Sequence, residues 1–411
     1  MNEKAMNQVA SMMRRIYAEG LTTTTGGNIS VIDENNTIYI TPAGNDKSKI
    51  TNSDISVIRY NELMNENHPS SELPLHRSIY KYNKKIKAII HAHPVGIVAF
   101  SAIRKLPNTK LTYPYNDLEI RSSFAKYALP GSEELAQYIT KEFKNESNAV
   151  FLENHGIVIG STSLGEAYKM LDFIETCCLI ETKARMLKKD FNFPHYGELP
   201  SGYSKCELNN DEYDSSGLID LSKRLYKSSI VKSNMAVISK KINGNTFSIT
   251  RRNTNLQTIS SNDVIVFDNK KCLYNPINQP LISLVNEIYL SDNDIQAVII
   301  ASPVNAMGFS VSQVKIDSKI IPEGYILLRK IPTLNEINQK KIVEVLSKEN
   351  PLINVSGKFY ISIGKSLLQA YDRLEVLEFG AKSLLFTSQY EKVFTISDAE
   401  IDRINHEFTG W

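Results

Sequence analysis

The chain has 411 residues, of which 42% are hydrophobic and 22% charged, an ordinary balance for a globular protein with sizeable apolar cores. At about 100–200 residues per domain, this length indicates two or three domains. The formal net charge of +2 gives no electrostatic basis for binding nucleic acid or a membrane surface.

Hydrophobic periodicity and turn residues predict eight elements in the first half of the chain. They are, in order, a helix over 4–18, strands over 28–32 and 37–41, a helix over 73–82, strands over 88–93, 149–153 and 157–160, and a helix from 164 to about 188. The second helix follows two serines and has Pro74 in its first turn, as helix starts commonly do. Strands that pair locally, with helices packed outside them, favour an α/β or α+β fold of three layers.

The N-terminal segment and the cysteines indicate a compartment. The first residues carry mixed charges without a signal-peptide apolar stretch, and no run of about 18 apolar residues occurs in the sequence. The four cysteines show neither CxxC spacing nor a disulfide framework: Cys177, Cys178, Cys206 and Cys272. We therefore expect a cytoplasmic protein without a membrane partner, in which the adjacent Cys177 and Cys178 pack in a core.

The sequence also repeats itself. The segment around Tyr17, MRRIYAEGL, matches SKRLYKSSI around Tyr226, 209 residues later, and the same spacing relates IKAIIHAHP (86–94) to IQAVIIASP (295–303). The intervening segment 191–217 is rich in Pro, Gly, Ser, Asn and Asp, which is typical of a linker. We therefore predict two homologous domains, over 1–208 and 209–411.

A histidine pair predicts metal chemistry. His91 and His93 flank one alanine in a short apolar strand, where alternate side chains point to the same face. Two imidazoles there can bind one divalent ion, and His155, beside the permissive Gly156, is the natural third ligand of an open site. Each feature alone is weak, because an HxH pair arises by chance and a turn histidine more often caps or lies on the surface. His76 is more typical of a packed or hydrogen-bonded residue than of a ligand.

Three loops have an ordinary and a functional interpretation. Ser70 and Ser71 precede a helix, where serines usually cap, but hydroxyls, free N–H groups and the helix dipole also suit a phosphate. Glu72 is either a catalytic base or a first-turn acid favoured by the dipole. The loops over 26–30 and 41–44 are either ordinary turns or parts of a phosphate cradle.

Taken in this order, five motifs resemble the class II aldolase/adducin family: GGNIS (26–30), TPAG (41–44), PSSELPLH (69–76), HAHP (91–94) and ENHG (153–156). The resemblance covers about residues 5–190 and, more weakly, the repeat. It implies two tandem three-layer α/β/α domains of the class II aldolase type, each with a mainly antiparallel central sheet.

The resemblance also implies a role for each residue of the site. His91, His93 and His155 match the family's zinc ligands, and Glu72 matches the catalytic acid/base of its aldolases. The residues that form the family's pocket for the substrate phosphate correspond to Asn28, Gly44, Ser70 and Ser71. A tyrosine that protonates the aldehyde oxygen in some members would be Tyr113, with Tyr115 as the other candidate.

The activity implied is that of a zinc-dependent aldolase that cleaves or forms a carbon–carbon bond in a sugar phosphate such as a ketose 1-phosphate. Zinc would act as a Lewis acid, and Glu72 would move a proton on the enediolate carbon. Several members of the family have a hydroxyl residue where this sequence has Ala43, so the resemblance does not identify the substrate. Epimerases, dehydratases and decarboxylases of the family use the same histidines, adducins are non-enzymatic scaffolds, and three imidazoles suit several divalent metals.

The second copy lacks the ligands and the base. The matching residues are Leu281 for Glu72, Ile300 for His91, Ser302 for His93 and, at a later spacing of 204, Phe359 for His155. The resemblance implies tetrameric rings, so we expect a homo-oligomer in which two chains supply the four domains of such a ring.

Overall fold

The computed structural model describes residues 2–60, 62–111, 118–194, 214–232, 234–244, 246–251, 254–268 and 279–408. This part of the chain divides into two compact units, the first built mainly from Met1–Thr109 and Leu118–Cys178 and the second from Leu179 onward. The boundary predicted near residue 208 lies outside the described residues and stays a prediction.

The first unit is built on a mixed sheet with helices on both faces. Its strands are β1 (Asn28–Ile32), β2 (Ile38–Ile40), β3 (Ser56–Arg59), β4 (Glu62–Leu63), β5 (Ala88–Ala92), β6 (Ser122–Ala125), β7 (Ala149–Leu152) and β8 (Gly156–Ser161). Its helices are α1 (Glu3–Ala18), α2 (Leu73–Tyr82), α3 (Val95–Ala102), α4 (Glu133–Lys144) and α5 (Leu164–Leu187), whose last turns belong to the second unit. The strand order is β4-β3-β2-β1-β5-β8-β7-β6, and β6–β7 is its parallel pair.

Two apolar clusters, one on each face of this sheet, make three layers. Along β2, Tyr39 joins the cluster that contains α1, α3 and α5, whereas Ile38 and Ile40 join the cluster that contains α2 and α4. Along β5, Ile90 and Ile89 divide in the same way. The alternation of strand side chains therefore supplies both cores from one sheet.

The second unit repeats this arrangement. Its strands are β9 (Ala236–Asn243), β10 (Thr246–Thr250), β11 (Val264–Asp268), β12 (Ala297–Ala301), β13 (Thr333–Leu334), β14 (Leu352–Val355) and β15 (Phe359–Gly364), in the order β11-β10-β9-β12-β15-β14-β13. Its helices are α6 (Ser216–Lys227), α7 (Gln279–Ser291), α8 (Val304–Ser312), α9 (Pro322–Leu328), α10 (Gln339–Val345), α11 (Leu367–Phe386) and α12 (Asp398–Glu407). The pair β13–β14 is parallel, as is β6–β7 in the first unit. The predicted α/β fold, with two mainly antiparallel sheets, is confirmed.

The eight elements predicted from the sequence are present, with ends that differ by one residue at most. Two predicted ranges match in full, the helix over 73–82 and the strand over 28–32. Pro74 marks the start of the helix, and the turn residues that begin at Asp33 mark the end of the strand. Cys177 and Cys178 are buried in α5, as predicted. Helix α3, by contrast, reads VGIVAFSA and has no polar face from which a helical period can be recognised.

None of the helices among the described residues is both long enough and apolar enough to cross a bilayer.

Candidate metal centre

Three histidines meet at one end of the sheet of the first unit. His91 lies in β5 between Asn28 of β1 and Val158 of β8, His93 follows it, and His155 lies in the turn that joins β7 to β8. One potential ligand atom from each histidine lies within 4.8 Å of the others. Among the described residues, this is the only group of three or more His, Cys, Asp or Glu side chains with such spacing. The sequence prediction that these three residues converge is therefore matched by the structure.

A close backbone approach fixes the third histidine beside the second. A Cβ atom at Gly156 would lie 2.4 Å from the carbonyl oxygen of Ala92 and 2.7 Å from Cδ2 of His93. Asn154, two residues earlier, has a φ of 56°, a left-handed conformation that asparagine tolerates better than most residues. The turn brings His155 against His93 because residue 156 has no side chain.

Glu72 faces the histidines from the start of α2. It occupies the N-cap position, but its carboxylate makes no capping hydrogen bond. Its Oε2 accepts a hydrogen bond from Nδ2 of Asn28 at 2.6 Å and lies 3.1 Å from Nε2 of His91. Its Oε1 lies 3.9 Å from Nε2 of His155 and accepts no hydrogen bond from the described residues. The side chain is 7% exposed, so this carboxylate is directed into the cluster rather than toward solvent.

The two serines before Glu72 differ in their surroundings. Ser70 is buried, and its Oγ accepts a hydrogen bond from the backbone N–H of Glu72 at 3.3 Å, whereas Ser71 is exposed. The bond of Ser70 is therefore a local turn bond ahead of α2, whose N-cap residue is Glu72, and neither serine caps the helix.

Burial and mutual charge determine the protonation of the cluster. Burial acts to raise the pKa of Glu72, but the charge and hydrogen bond of His91, with the amide of Asn28, hold it below its ordinary value. Burial and then the neighbouring imidazoles lower the pKa of His93 to about 3, and burial with His91 lowers that of His155 to about 4. Burial acts to lower the pKa of His91, but the carboxylate of Glu72 outweighs it and raises that pKa. Neutral His93 and His155 therefore offer lone pairs rather than protons.

This donor set fits a divalent cation. Neutral imidazole nitrogens are ordinary ligands for zinc and for several other first-row metals. A buried carboxylate oxygen without a hydrogen bond, such as Oε1 of Glu72, costs about 1–3 kcal/mol unless a ligand or ion satisfies it. Nδ1 of His91 lies 3.0 Å from the carbonyl oxygen of Ile157, which orients the ring and leaves Nε2 toward the cluster. His91, His93 and His155 are thus the residues that would hold the ion.

The loops assigned to phosphate lie side by side. The N–H of Ser70 donates to the carbonyl of Thr41 at 3.1 Å, and the N–H of Ala43 donates to that of His68 at 3.2 Å. Gly44 has a φ of 70° and is exposed, as is Ser71. Asn28, by contrast, is buried and hydrogen-bonded to Glu72. Binding of a phosphate by these residues stays a prediction, and Tyr113 and Tyr115 lie outside the described residues.

The structure adds Ser30 and Tyr80 to the surroundings of Glu72. Ser30 follows Asn28 by two residues in β1 and therefore lies on the same face of that strand. The Oγ atom of Ser30 lies 2.7 Å from Nδ1 of His76 and 2.7 Å from the hydroxyl of Tyr80. His76 and Tyr80 follow Glu72 at intervals of four, on one face of α2. The strand period that relates Ser30 to Asn28 and the helical period that relates Tyr80 to Glu72 are the signals by which the sequence could identify Ser30 and Tyr80. His76 is hydrogen-bonded and fully buried, as expected.

In the second unit, the same positions have no metal ligands. Val237 and Ile300 pair across β9 and β12 as Asn28 and His91 pair across β1 and β5, which confirms the spacing of 209 there.

The later spacing, however, requires a correction. Ala88 pairs with Ser161, and Ala297 pairs with Gly364, so the strands β8 and β15 are related by 203 residues rather than 204. The residue that corresponds to His155 is therefore the buried Lys358, and not Phe359. The error arose because a gap between two copies can be placed at several residues of a turn, and only the hydrogen-bond register decides among them.

Comparison with known proteins agrees with the fold. The family model described as class II aldolase and adducin N-terminal domain matches residues 7–182 and 216–385. An L-fuculose phosphate aldolase from Methanococcus maripaludis is 31% identical over 171 residues, which are 41% of this chain and 92% of that protein. A 3-oxo-tetronate 4-phosphate decarboxylase from Haemophilus influenzae is 30% identical over 175 residues, which are 41% of this chain and 83% of that protein.

A solved structure of an L-fuculose 1-phosphate aldolase is also similar. It is 30% identical, with a TM-score of 0.42, over 47% of this chain and 92% of that protein.

Proposed function

Because the chain belongs to the class II aldolase and adducin family, we propose that its first unit is a divalent-metal-dependent lyase acting on a small phosphorylated sugar such as a ketose 1-phosphate. The observation that carries this proposal is Glu72, a buried carboxylate that lies against the imidazoles of His91 and His155 and whose Oε1 accepts no hydrogen bond from the described residues. An adducin-like scaffold has no need of such a group, since a buried unsatisfied carboxylate oxygen lowers stability.

The residues of the site would have different roles in this reaction. A divalent ion held by the three histidines would supply a Lewis acid for the carbonyl of the substrate. The carboxylate of Glu72 is ionised at neutral pH, so that Oε1 can take a proton from the substrate and return one. The hydrogen bond from Asn28 holds Oε2 while Oε1 acts. Ser71 and the exposed loop at Gly44 would bind the phosphate and orient the substrate.

Decarboxylation is the second candidate, and the relative from Haemophilus influenzae favours it. That protein is named for a phosphorylated 3-oxo acid, and its identity to this chain is close to that of the aldolase from Methanococcus maripaludis. A Lewis acid at the carbonyl and a proton carrier beside it would serve either bond cleavage. The phosphate and the metal are common to the two candidates, and the bond that breaks distinguishes them.

We propose that the second unit, which carries Leu281, Ile300 and Ser302 at the corresponding positions, keeps the fold without this reaction. Zinc as the native metal is likewise part of the proposal.

The deciding experiment is a product analysis on metal-loaded, tag-free protein. Candidate substrates are the phosphorylated compounds for which similar proteins are named: L-fuculose 1-phosphate, 3-oxo-tetronate 4-phosphate and, from a Bacillus thuringiensis relative, 5-deoxy-D-ribulose 1-phosphate. The products are identified by 31P and 13C NMR. Dihydroxyacetone phosphate with an aldehyde would support the aldolase, carbon dioxide would support the decarboxylase, and an isomer of unchanged formula would support an epimerase. If the protein binds metal but no substrate reacts faster than with the Glu72→Gln variant, the enzymatic proposal is wrong.

A further inference from the structure

A buried chain of hydrogen bonds ends on Glu72. The hydroxyl of Tyr80 lies 2.7 Å from Oγ of Ser30, which lies 2.7 Å from Nδ1 of His76. Nε2 of His76 lies 2.6 Å from Oδ1 of Asn28, and Nδ2 of Asn28 lies 2.6 Å from Oε2 of Glu72. None of the five residues is more than 6% exposed.

The chemistry of the groups fixes the direction of every bond in this chain. An ionised carboxylate only accepts, so Asn28 must present its NH₂ to Glu72 and its carbonyl oxygen to His76. Nε2 of His76 must therefore carry a hydrogen and donate. Burial lowers the pKa of His76 to about 3, so the ring is neutral and its Nδ1 accepts from the hydroxyl of Ser30. Ser30 in turn accepts from Tyr80, and all four bonds point toward the carboxylate.

The second unit offers an internal comparison. Its Tyr289 donates to Ser239 at 3.1 Å, so the far end of the chain is preserved at the same spacing of 209 residues. At the positions of His76, Asn28 and Glu72, however, the second unit has Val285, Val237 and Leu281, each 1% exposed.

This comparison separates two roles. The hydrogen-bonded tyrosine–serine pair occurs in both units, so it supports the fold and does not depend on the presence of the glutamate. The histidine and the asparagine are present where the glutamate is present and are replaced by valine where it is not. A scaffold role would not require that, because valine packs at both positions in the second unit.

We propose that His76 is a positioning residue for Glu72, acting through the amide of Asn28. His76 holds Asn28 in the orientation that donates to Oε2, and the carboxylate is thereby turned so that Oε1 faces the substrate. This inference rests on the proposed role of Glu72 as the proton carrier, and it assigns to His76 no contact with substrate or metal.

The test compares three variants of the full chain. His76→Val copies the second unit and should fold, bind metal as the wild type does, and lose about 10- to 100-fold in kcat with little change in KM. His76→Gln, which can still donate to Asn28, should recover part of that loss. Tyr80→Phe, the matched control at the scaffold end, should stay within about threefold of the wild type, as expected for a group without a direct bond to Asn28 or Glu72.

A second readout does not depend on turnover. In protein selectively labelled with 15N-asparagine, the side-chain amide of Asn28 should give two resolved, slowly exchanging proton signals in the wild type and in His76→Gln, and lose them in His76→Val. An unchanged kcat in His76→Val, with an active wild type, would overturn the inference and leave the proposed function standing. If the wild type itself turns over none of the substrates, the proposed function fails, and persistence of the Asn28 signals in His76→Val would then overturn the inference independently.

Discussion

His155 and Lys358 occupy the same position in the two units, each between a residue of positive φ and the first residue of a strand. Asn154 precedes one with a φ of 56°, and Gly357 precedes the other with a φ of 66°. The turn is thus preserved, while an imidazole in the first unit corresponds to a buried ammonium-bearing side chain in the second. A cationic side chain is a poor neighbour for a metal ion, so the two units are expected to differ in metal binding.

The first prediction is therefore one divalent ion per chain. His155→Ala should reduce metal affinity by more than about tenfold, since loss of a ligand costs at least as much as loss of a residue that orients one. Lys358→His should leave the stoichiometry at one, because Ile300 and Ser302 supply no imidazoles. Plasma mass spectrometry after dialysis measures both, and two ions per wild-type chain would contradict the assignment.

The second prediction concerns Gly156. The Gly156→Ala substitution should weaken metal binding at least about tenfold and lower the free energy of unfolding by about 1–3 kcal/mol, because the new methyl group would meet the Ala92 carbonyl and His93. Gly165→Ala is the matched control, since its nearest neighbour would be Oγ of Ser163 at 3.9 Å. Urea unfolding and metal titration of the two variants should separate them, and equal behaviour would show that the turn is not tightly packed.

The third prediction is for Glu72 itself. Glu72→Gln should keep the metal but reduce kcat about 10²- to 10⁴-fold, because an amide cannot take up the proton. Glu153→Gln is a suitable control, since this carboxylate lies in the same turn as His155 but is bonded to Arg104 at 3.2 Å. Steady-state kinetics on the substrate found by product analysis gives the answer. A glutamine variant with more than a tenth of wild-type kcat would remove Glu72 from the proposed mechanism.

The fourth prediction uses Lys47, which is 1% exposed and donates to the carbonyl of Pro42 at 3.2 Å. Burial lowers the pKa of Lys47 to about 8, from an ordinary value of 10.5. A folded-state pKa below the unfolded value means that the folded protein binds the proton less well. Its contribution to stability is therefore present above about pH 10.5 and is lost as the pH falls through about 8.

It follows that Lys47→Met should be more stable than the wild type at pH 7, by about 2–3 kcal/mol, and that this difference should shrink toward pH 10. Urea unfolding at the two pH values measures it. The exposed Lys49→Met serves as the control and should stay within about 0.5 kcal/mol of the wild type. A destabilised Lys47→Met at pH 7 would mean that the hydrogen bond to Pro42 outweighs the desolvation of the ammonium group.

The fifth prediction is the oligomeric state, for which the expected assembly is a dimer of tandem chains. Light scattering coupled to size-exclusion chromatography should give twice the mass of one chain. A monomer that persists at the concentrations of the activity assay would refute the four-domain ring.

Much of the first unit follows from local sequence. The period of Val9, Met13 and Ile16 predicts α1, and Pro74 marks the start of α2, because these signals act within one or two turns of a helix. Helix α3 was not predicted because it is apolar on all sides, and apolar residues do not show a period there. Strand β4 is two exposed residues, too short for any pattern to be recognised.

The sequence by itself determined which residues could act: the pair His91 and His93 on one strand, the turn histidine beside a glycine, and a second copy without them. These follow from the period of a strand and from residue chemistry, which are properties of neighbours along the chain. Only the tertiary structure decided that Glu72 turns into the cluster instead of capping its helix, that His76 reaches it through Asn28, and that Lys358 stands for His155. Each of these depends on which segments lie side by side. Hydrogen bonds between β1 and the start of α2 join residues more than 40 positions apart, and the pairing of β5 with β8 and of β12 with β15 fixes the register that relates Lys358 to His155.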